Sequence, residues 1–173
     1  MLDSVAMDAR SLLAGRSRET TIRRDAEGRW YHDGAPLEHP GLCRSFDAWV
    51  ERAEDGRYCL KNDINWAYCE IEGPAFFVRT VHVEQGGTVR LSLSGDLLET
   101  LDPQSLRQDT HGVLYCDVRG GLPARFDRHA AAGLEHHIEA DAEGVYLQLG
   151  ASKVRPPLVD DPLQPHSHRE QQP

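Results

Sequence analysis

At 173 residues, 39% of them hydrophobic and 27% charged, the chain lies in the globular range and can bury a core without disulfide or metal staples, which excludes a disordered protein. A formal net charge of −9 argues against nucleic acid or an anionic membrane as main partner, since both are polyanions that recruit basic surfaces. No apolar run approaches the ~20 residues that span a bilayer, and no basic start leads into a long apolar stretch, so the expected location is the cytoplasm.

Leu2, Val5, Ala6, Ala9, Leu12 and Leu13 fall on one helical stripe and predict a short amphipathic helix ending near Gly15. After a basic linker, residues 28–34 read as a strand running into the Asp33-Gly34 turn. Pro40 suits the first turn of a helix, and Leu42, Phe46, Trp49 and Val50 form its buried stripe, predicting a helix over residues 41–53 that stops before Asp55-Gly56. Residues 57–61, 66–72, 76–84, 88–93 and 97–101 are β-branched and aromatic runs separated by tight-turn dipeptides, the signature of antiparallel sheet. Residues 113–118 predict another strand. Phe126, Ala130, Leu134 and Ile138 recur every four residues and predict a second helix over residues 124–138, before a last strand at residues 145–149. From Pro156 the composition is Pro, Asp, His and Gln without periodicity, so this tail is expected to be disordered.

The order repeats itself. Gly28-Arg-Trp-Tyr-His-Asp, a helix, and Asp55-Gly56-Arg-Tyr58 align with Gly112-Val-Leu-Tyr-Cys-Asp, a helix, and Glu143-Gly144-Val-Tyr146. The expected fold class is therefore α+β, with duplicated strand-helix-strand units and antiparallel sheet. The expected organisation is an N-terminal helix and linker over residues 1–20, halves over 21–85 and 86–155, and the tail over 156–173.

Gly28, Trp30, His32, Gly34, Pro36 and Leu37, then residues 55–60, Ile71-Glu72, Pro74 and Phe76, make the first half resemble a bacterial family catalogued as domain of unknown function 1285. In the second half the resemblance rests on Ser94-Gly95-Asp96, Leu106, residues 115–125 (Tyr-Cys-Asp-Val-Arg-Gly-Gly-Leu-Pro-Ala-Arg) and Arg128. The resemblance implies a duplicated α+β core, a second half superficially like a pleckstrin-homology domain, and a groove between halves that takes a small, nucleotide-like ligand in signalling. It implies no established activity. Residues 61–66 depart from the family pattern, which puts ligand identity in doubt.

Motifs for chemistry are absent. No phosphate loop, HExxH or nucleophile elbow occurs; Gly86-Gly87 reads as a hairpin turn, and Ser94-Gly95 as a strand ending in a turn. The histidines are dispersed, and His136-His137 on a helix point about 100° apart, so no metal site is expected. Cys43, Cys59, Cys69 and Cys116 lack CxxC spacing and read as buried free thiols. Arg119, Arg125 and Arg128 are the candidate anion site, Arg125 and Arg128 sharing a face at a helix start; the bland alternative is pairing with Asp117, Asp127 and Glu135. Trp30 and His32, with Trp66 and Tyr68, are candidates for a stacking wall, although tryptophans more often pack in cores. The favoured function is a non-enzymatic, small-ligand-binding or regulatory module for an anionic ligand, without a cofactor. The alternative is a protein interaction module with no small ligand, marked by an exposed apolar patch.

Overall fold

The computed structural model of the chain describes residues 18–165. The helix expected over residues 2–13 and the tail histidines His166 and His168 lie outside the described residues. The fold is mixed α+β and mostly strand, with two α-helices among the described residues, none long and apolar enough to cross a membrane. The chain divides after Gly73, not near residue 85, into two compact units, with Ser94–Asp96 belonging to the first. The boundary moves because the strand at residues 76–83, expected in the first half, pairs in the sheet of the second unit.

In the first unit, β1 (Arg23–Arg24) pairs antiparallel with β2 (Trp30–His32), and β2 with β3 (Ala35–Pro36). Asp25 shapes the β1–β2 turn, its Oδ1 accepting the N–H of Glu27 at 3.1 Å and of Arg29 at 2.8 Å. The β2–β3 turn has Asp33 at φ 51° and Gly34 at φ 78°, left-handed at both centres, which is why Asp-Gly closes it. Helix α1 (Pro40–Trp49) starts under His39, whose Nδ1 accepts the Leu42 N–H at 3.1 Å. It stops short of the predicted residue 53, because Val50 leaves the helix to face Leu60 across β4 (Val50–Arg52) and β5 (Tyr58–Lys61), both side chains being fully buried. Strand β6 (Trp66–Tyr68) completes that three-stranded sheet, and β7 (Glu70–Ile71) returns parallel to β1, so the run expected at 66–72 serves two sheets. The interior holds Ile22, Trp30, Leu42, Phe46, Val50 and Leu60. It also holds the fully buried Arg24, which pairs with Asp47 at 3.1 Å.

The second unit carries a six-stranded sheet of β8 (Phe76–Val83), β9 (Val89–Leu93), β10 (Leu97–Thr100), β11 (Arg107–Gln108), β12 (Leu114–Val118) and β13 (Leu122–Phe126), in the order β10-β9-β8-β13-β12-β11. All pairs are antiparallel except β8 with β13. Gly86-Gly87 turns β8 into β9 as expected. Residues 122–126, read partly as a helix start, are the strand β13: Ala124 and Arg125 lie between two paired neighbours, and Pro123, which has no N–H to give, falls outside the stretch paired with β8. The second helix is correspondingly short. Helix α2 (Arg128–Ala132) is five residues long and capped by Gly133, a 3₁₀ turn follows at Glu135–His137, and Ile138 opens a strand instead of continuing the helix. Strands β14 (Ile138–Asp141), β15 (Gly144–Leu149) and β16 (Ser152–Val154) form an antiparallel meander.

The tail expected to be disordered from Pro156 is docked through Pro162. The Gln108 N–H donates to the Pro157 carbonyl at 2.9 Å, the Val159 N–H to the Gln108 carbonyl at 2.9 Å, and Leu158 bridges in parallel to Gln108. Composition missed this because the driving groups lie elsewhere. Arg107, 1% exposed, pairs with Asp117 at 2.9 Å, and its Nε donates to the Pro162 carbonyl at 2.8 Å; a buried guanidinium needs such acceptors.

The two units share a pattern of registers. Arg23 faces Tyr31 and Arg24 faces Trp30, while Arg107 faces Tyr115 and Gln108 faces Leu114. Asp109 Oδ1 accepts the N–H of His111 at 2.8 Å and of Val113 at 2.9 Å, as Asp25 does for Glu27 and Arg29.

Candidate functional site

A cleft of about 430 Å³ opens in the second unit, lined by apolar Leu114, Ala131, Leu134, Ile138, Val145 and Leu147, with Gln108, Arg128, Glu135 and Tyr146 as its polar members. Each wall has a local cause. The stop at Gly133 leaves α2 only one turn and a half, ending in the small side chains of Ala131 and Ala132 on the cleft side. Across the cleft, Ile138 is 50% and Val145 64% exposed, large apolar side chains with no cover. Gln108 enters from β11, where its Nε2 donates to the Pro156 carbonyl at 3.3 Å.

Arg128 stands exposed at the first position of α2 and makes no hydrogen bond or ion pair among the described residues. Most other cations near this face are engaged. Lys153 and Arg155 pair with Asp141, Arg155 also reaches Glu143 at 3.4 Å, and both lie over the Tyr146 ring. Hydrogen bonds from Arg155 and Lys153 hold the Asp141 carboxyl well below the usual carboxylate range. The Tyr146 hydroxyl donates to Glu139 Oε2 at 2.8 Å, which pushes its pKa up.

The three arginines expected together are spread along β13. Arg119 is exposed in the β12–β13 turn at φ 50°, its N–H donating to Glu99 Oε1 at 2.9 Å. Arg125 is in the strand itself, half-buried opposite Tyr115 and Phe77, with its guanidinium 5.0 Å from the Phe77 ring centre. Burial pushes the Tyr115 hydroxyl up, an effect that neighbouring Arg125 offsets in part. Arg128 follows the far end of the strand, and the strand between the outer two spans roughly 13 Å. Arg125 and Arg128 therefore do not share a helix face, and only Arg128 lines the cleft.

Trp30 and His32 lie in the first unit. Trp30 is 1% exposed, edge-on to Phe46 at 5.3 Å, with its Nε1 donating to Asp47 Oδ1 at 2.9 Å; it has no face left for a ligand. His32 is half-buried on β2, with Nδ1 3.7 Å from Asp33 Oδ2. Trp66 and Tyr68 do meet, edge to face at 5.1 Å, over a cleft of about 490 Å³ on the β4–β6 sheet. Their rings already carry the chain's own cations, Arg18 at 4.6 Å and Arg57 at 3.3 Å, and Lys61 and Arg57 pair with Glu51 and Asp55 there. Residues 62–65 form the β5–β6 turn, with Asn62 Oδ1 accepting the N–H of Ile64 and Asn65.

Of the cysteines, Cys59, Cys69 and Cys116 are buried and Cys43 half-buried, all as free thiols. Burial pushes the Cys69 thiol up to about 12 and Cys116 higher still. Among the described residues no group of three or more His, Cys, Asp or Glu is placed to hold a metal ion.

No protein-family model and no curated protein matches the chain. Two solved structures do. A DUF1285 family protein from Silicibacter pomeroyi DSS-3 aligns with a TM-score of 0.63 at 20% identity, over 90% of this chain and 86% of that one. A second, from Shewanella baltica OS155, aligns with a TM-score of 0.51 at 19% identity, over 65% of this chain and 87% of that one. At such identities the likeness speaks for the backbone and leaves each site to this chain's own residues. The resemblance read from residues 28–76 and 94–128 is thus borne out where it can be compared, and the chain has the fold of these DUF1285 proteins.

Proposed function

We propose that the chain is a small-ligand-binding, regulatory protein of the DUF1285 type, and that its ligand is an amphipathic anion seated in the cleft of the second unit. The observation that carries this is Arg128, a guanidinium without a partner among the described residues, at the rim of a 430 Å³ cleft floored by Leu114, Ile138, Val145 and Leu147. Binding pockets combine such an apolar body with a few orienting polar groups. A single cation suits a carboxylate or sulfonate better than the polyphosphate of a nucleotide, which the expected three-arginine clamp would have served. The second unit has no helix after β16 among the described residues, so the ligand mode of a pleckstrin-homology domain is not carried over. A peptide-binding surface is the second reading, favoured by the exposure of Ile138 and Val145. The test is a fluorescence titration with 1-anilinonaphthalene-8-sulfonate. Saturable binding that weakens about tenfold in Arg128→Ala, the loss of one charge-assisted hydrogen bond, is the expected result. Equal binding by the variant overturns the reading.

The duplication belongs to the same proposal. Its support is the matched hairpin registers, the matched Asp25 and Asp109 turns, and a parallel return to the first strand of each set, β7 to β1 and Leu158 to β11. Between hairpin and return, each set runs through a helix and a three-stranded meander.

A further inference from the structure

We infer that the ligand of this cleft is an aromatic carboxylate whose ring takes the place that the Trp30 indole holds in the first unit; the inference rests on the cleft being a ligand site. The positions correspond by register. Trp30 faces Arg24 as Leu114 faces Gln108, and Val50 faces Leu60 as Ile138 faces Leu147. In the first unit, Trp30, Phe46, Val50 and Leu60 are at most 1% exposed. In the second, the same frame carries Leu114 for Trp30 and a helix ending in Ala131 and Ala132, and the Val50 counterpart Ile138 is 50% exposed over an open cleft. What is missing is a flat aromatic volume.

The polar groups match that volume. In the first unit Asp47 Oδ1 accepts the indole N–H of Trp30 at 2.9 Å. In the cleft, Gln108 donates through Nε2 to Pro156, and its amide oxygen is the acceptor available to a ring N–H. The first unit's interior balances its charges itself, Arg24 against Asp47. Arg128 makes no ion pair among the described residues, although Glu135 also lines the cleft, so the incoming molecule brings the counter-charge that Arg128 lacks. A rigid ring also surrenders less conformational freedom on binding than an alkyl chain of equal area.

The experiment is calorimetric titration of the full chain with indole-3-acetate, octanoate and neutral indole. The expected order places indole-3-acetate about tenfold or more tighter than octanoate, with Arg128→Ala erasing its advantage over indole. Leu114→Trp supplies the ring from the chain itself and should abolish indole-3-acetate binding while the thermal midpoint holds or rises. If that variant does not fold, Ala131→Phe blocks the same space from the helix side. Octanoate binding as tightly as indole-3-acetate, or indole-3-acetate binding undiminished in a folded Leu114→Trp or Ala131→Phe, overturns the aromatic assignment and leaves the amphipathic-anion reading standing. No binding of any of the three, together with no sulfonate probe binding, sinks both.

Discussion

In the first unit, Trp30, Phe46 and the Arg24–Asp47 pair fill the space between hairpin, helix and meander. In the second, Leu114, Gln108 and the alanines of α2 stand around a similar space and leave it open to solvent. The strands that frame the two interiors keep matching registers, so the frame does not decide between a packed core and a cleft. A handful of side chains and five residues of helix do. An interior that satisfies its own charges and fills its own volume is a structural element; a matching set of registers with a smaller side chain and an unpaired cation leaves a cleft, which the proposed function reads as a ligand site.

The largest effects should fall where the interior is closed. Asp47→Ala leaves Arg24 buried without its counter-ion and removes the acceptor of Trp30 Nε1. Stranding a buried charge costs ~3–5 kcal/mol, which for a chain of this size lowers the midpoint by roughly 6–20 °C. Trp30→Ala should cost ~3–5 kcal/mol as a large buried aromatic is lost. Leu114→Ala, at the matching register of the open unit, should cost only about 1 kcal/mol, because a half-exposed side chain leaves no sealed cavity. Urea denaturation of the three variants checks the contrast; equal losses for Trp30→Ala and Leu114→Ala would break it.

An intermediate effect attaches to residues 156–162. Ending the chain after Leu158 removes the Pro162 carbonyl from Arg107 Nε and the Val159 N–H from the Gln108 carbonyl. The loss of a hydrogen bond to a buried charge predicts ~1.5–3 kcal/mol of destabilisation, against the disorder that composition suggests. Scanning calorimetry of the shortened chain reads it. A midpoint within a degree of the full chain would show that Arg107 finds another acceptor.

The features legible in the sequence are those whose cause is local. Asp33-Gly34, Gly86-Gly87 and Pro40 carry their backbone preferences with them, and β8, β9 and β15 carry enough β-branched, aromatic and leucine residues between turn signals to be read directly. Strand β13 was hidden because Pro123, Ala124 and Arg125 have little strand propensity, and only the neighbours β8 and β12 make it one. The sequence overstates the length of α2 for the opposite reason. A spacing of four from Phe126 to Ile138 outweighed Gly133, the stop signal in its midst. That error also hid the cleft, since Ile138 placed on a helix stripe reads as core, whereas at the start of β14 it is a wall. Arg128 lines the cleft, and its separation from Arg119 and Arg125 follows from β13, which the sequence alone does not disclose.

Thiol chemistry gives a further contrast. Cys69 and Cys116 are buried with thiols pushed far above neutrality, while Cys43, also raised by burial, is half-exposed on α1 and donates to the Leu37 carbonyl at 3.3 Å. The thiolate is the reactive form. Iodoacetamide at pH 8 should therefore label Cys43 first and leave Cys69 and Cys116 unmodified until the chain unfolds, as peptide mass mapping would record. Labelling of Cys116 in the native protein at the rate of Cys43 would mean that the six-stranded sheet opens locally far more often than its burial implies.

The smallest effect is the one that most sharpens the comparison. Ala131 sits half-buried on α2 and faces the cleft, so Ala131→Leu extends a methyl-bearing chain into open volume instead of into packed atoms. In a closed interior such an enlargement typically costs ~1–3 kcal/mol through strain. Here the added carbons meet Leu114 and Ile138 across free space, leucine is nearly as good a helix former as alanine, and stability should change by no more than ~0.5 kcal/mol. The matching enlargement in the first unit, Leu42→Phe on the fully packed face of α1, should pay the strain in full. A urea midpoint that falls as far for Ala131→Leu as for Leu42→Phe would mean that the second interior is already closed in solution, and the distinction between a packed core and a receptor on one frame would be lost.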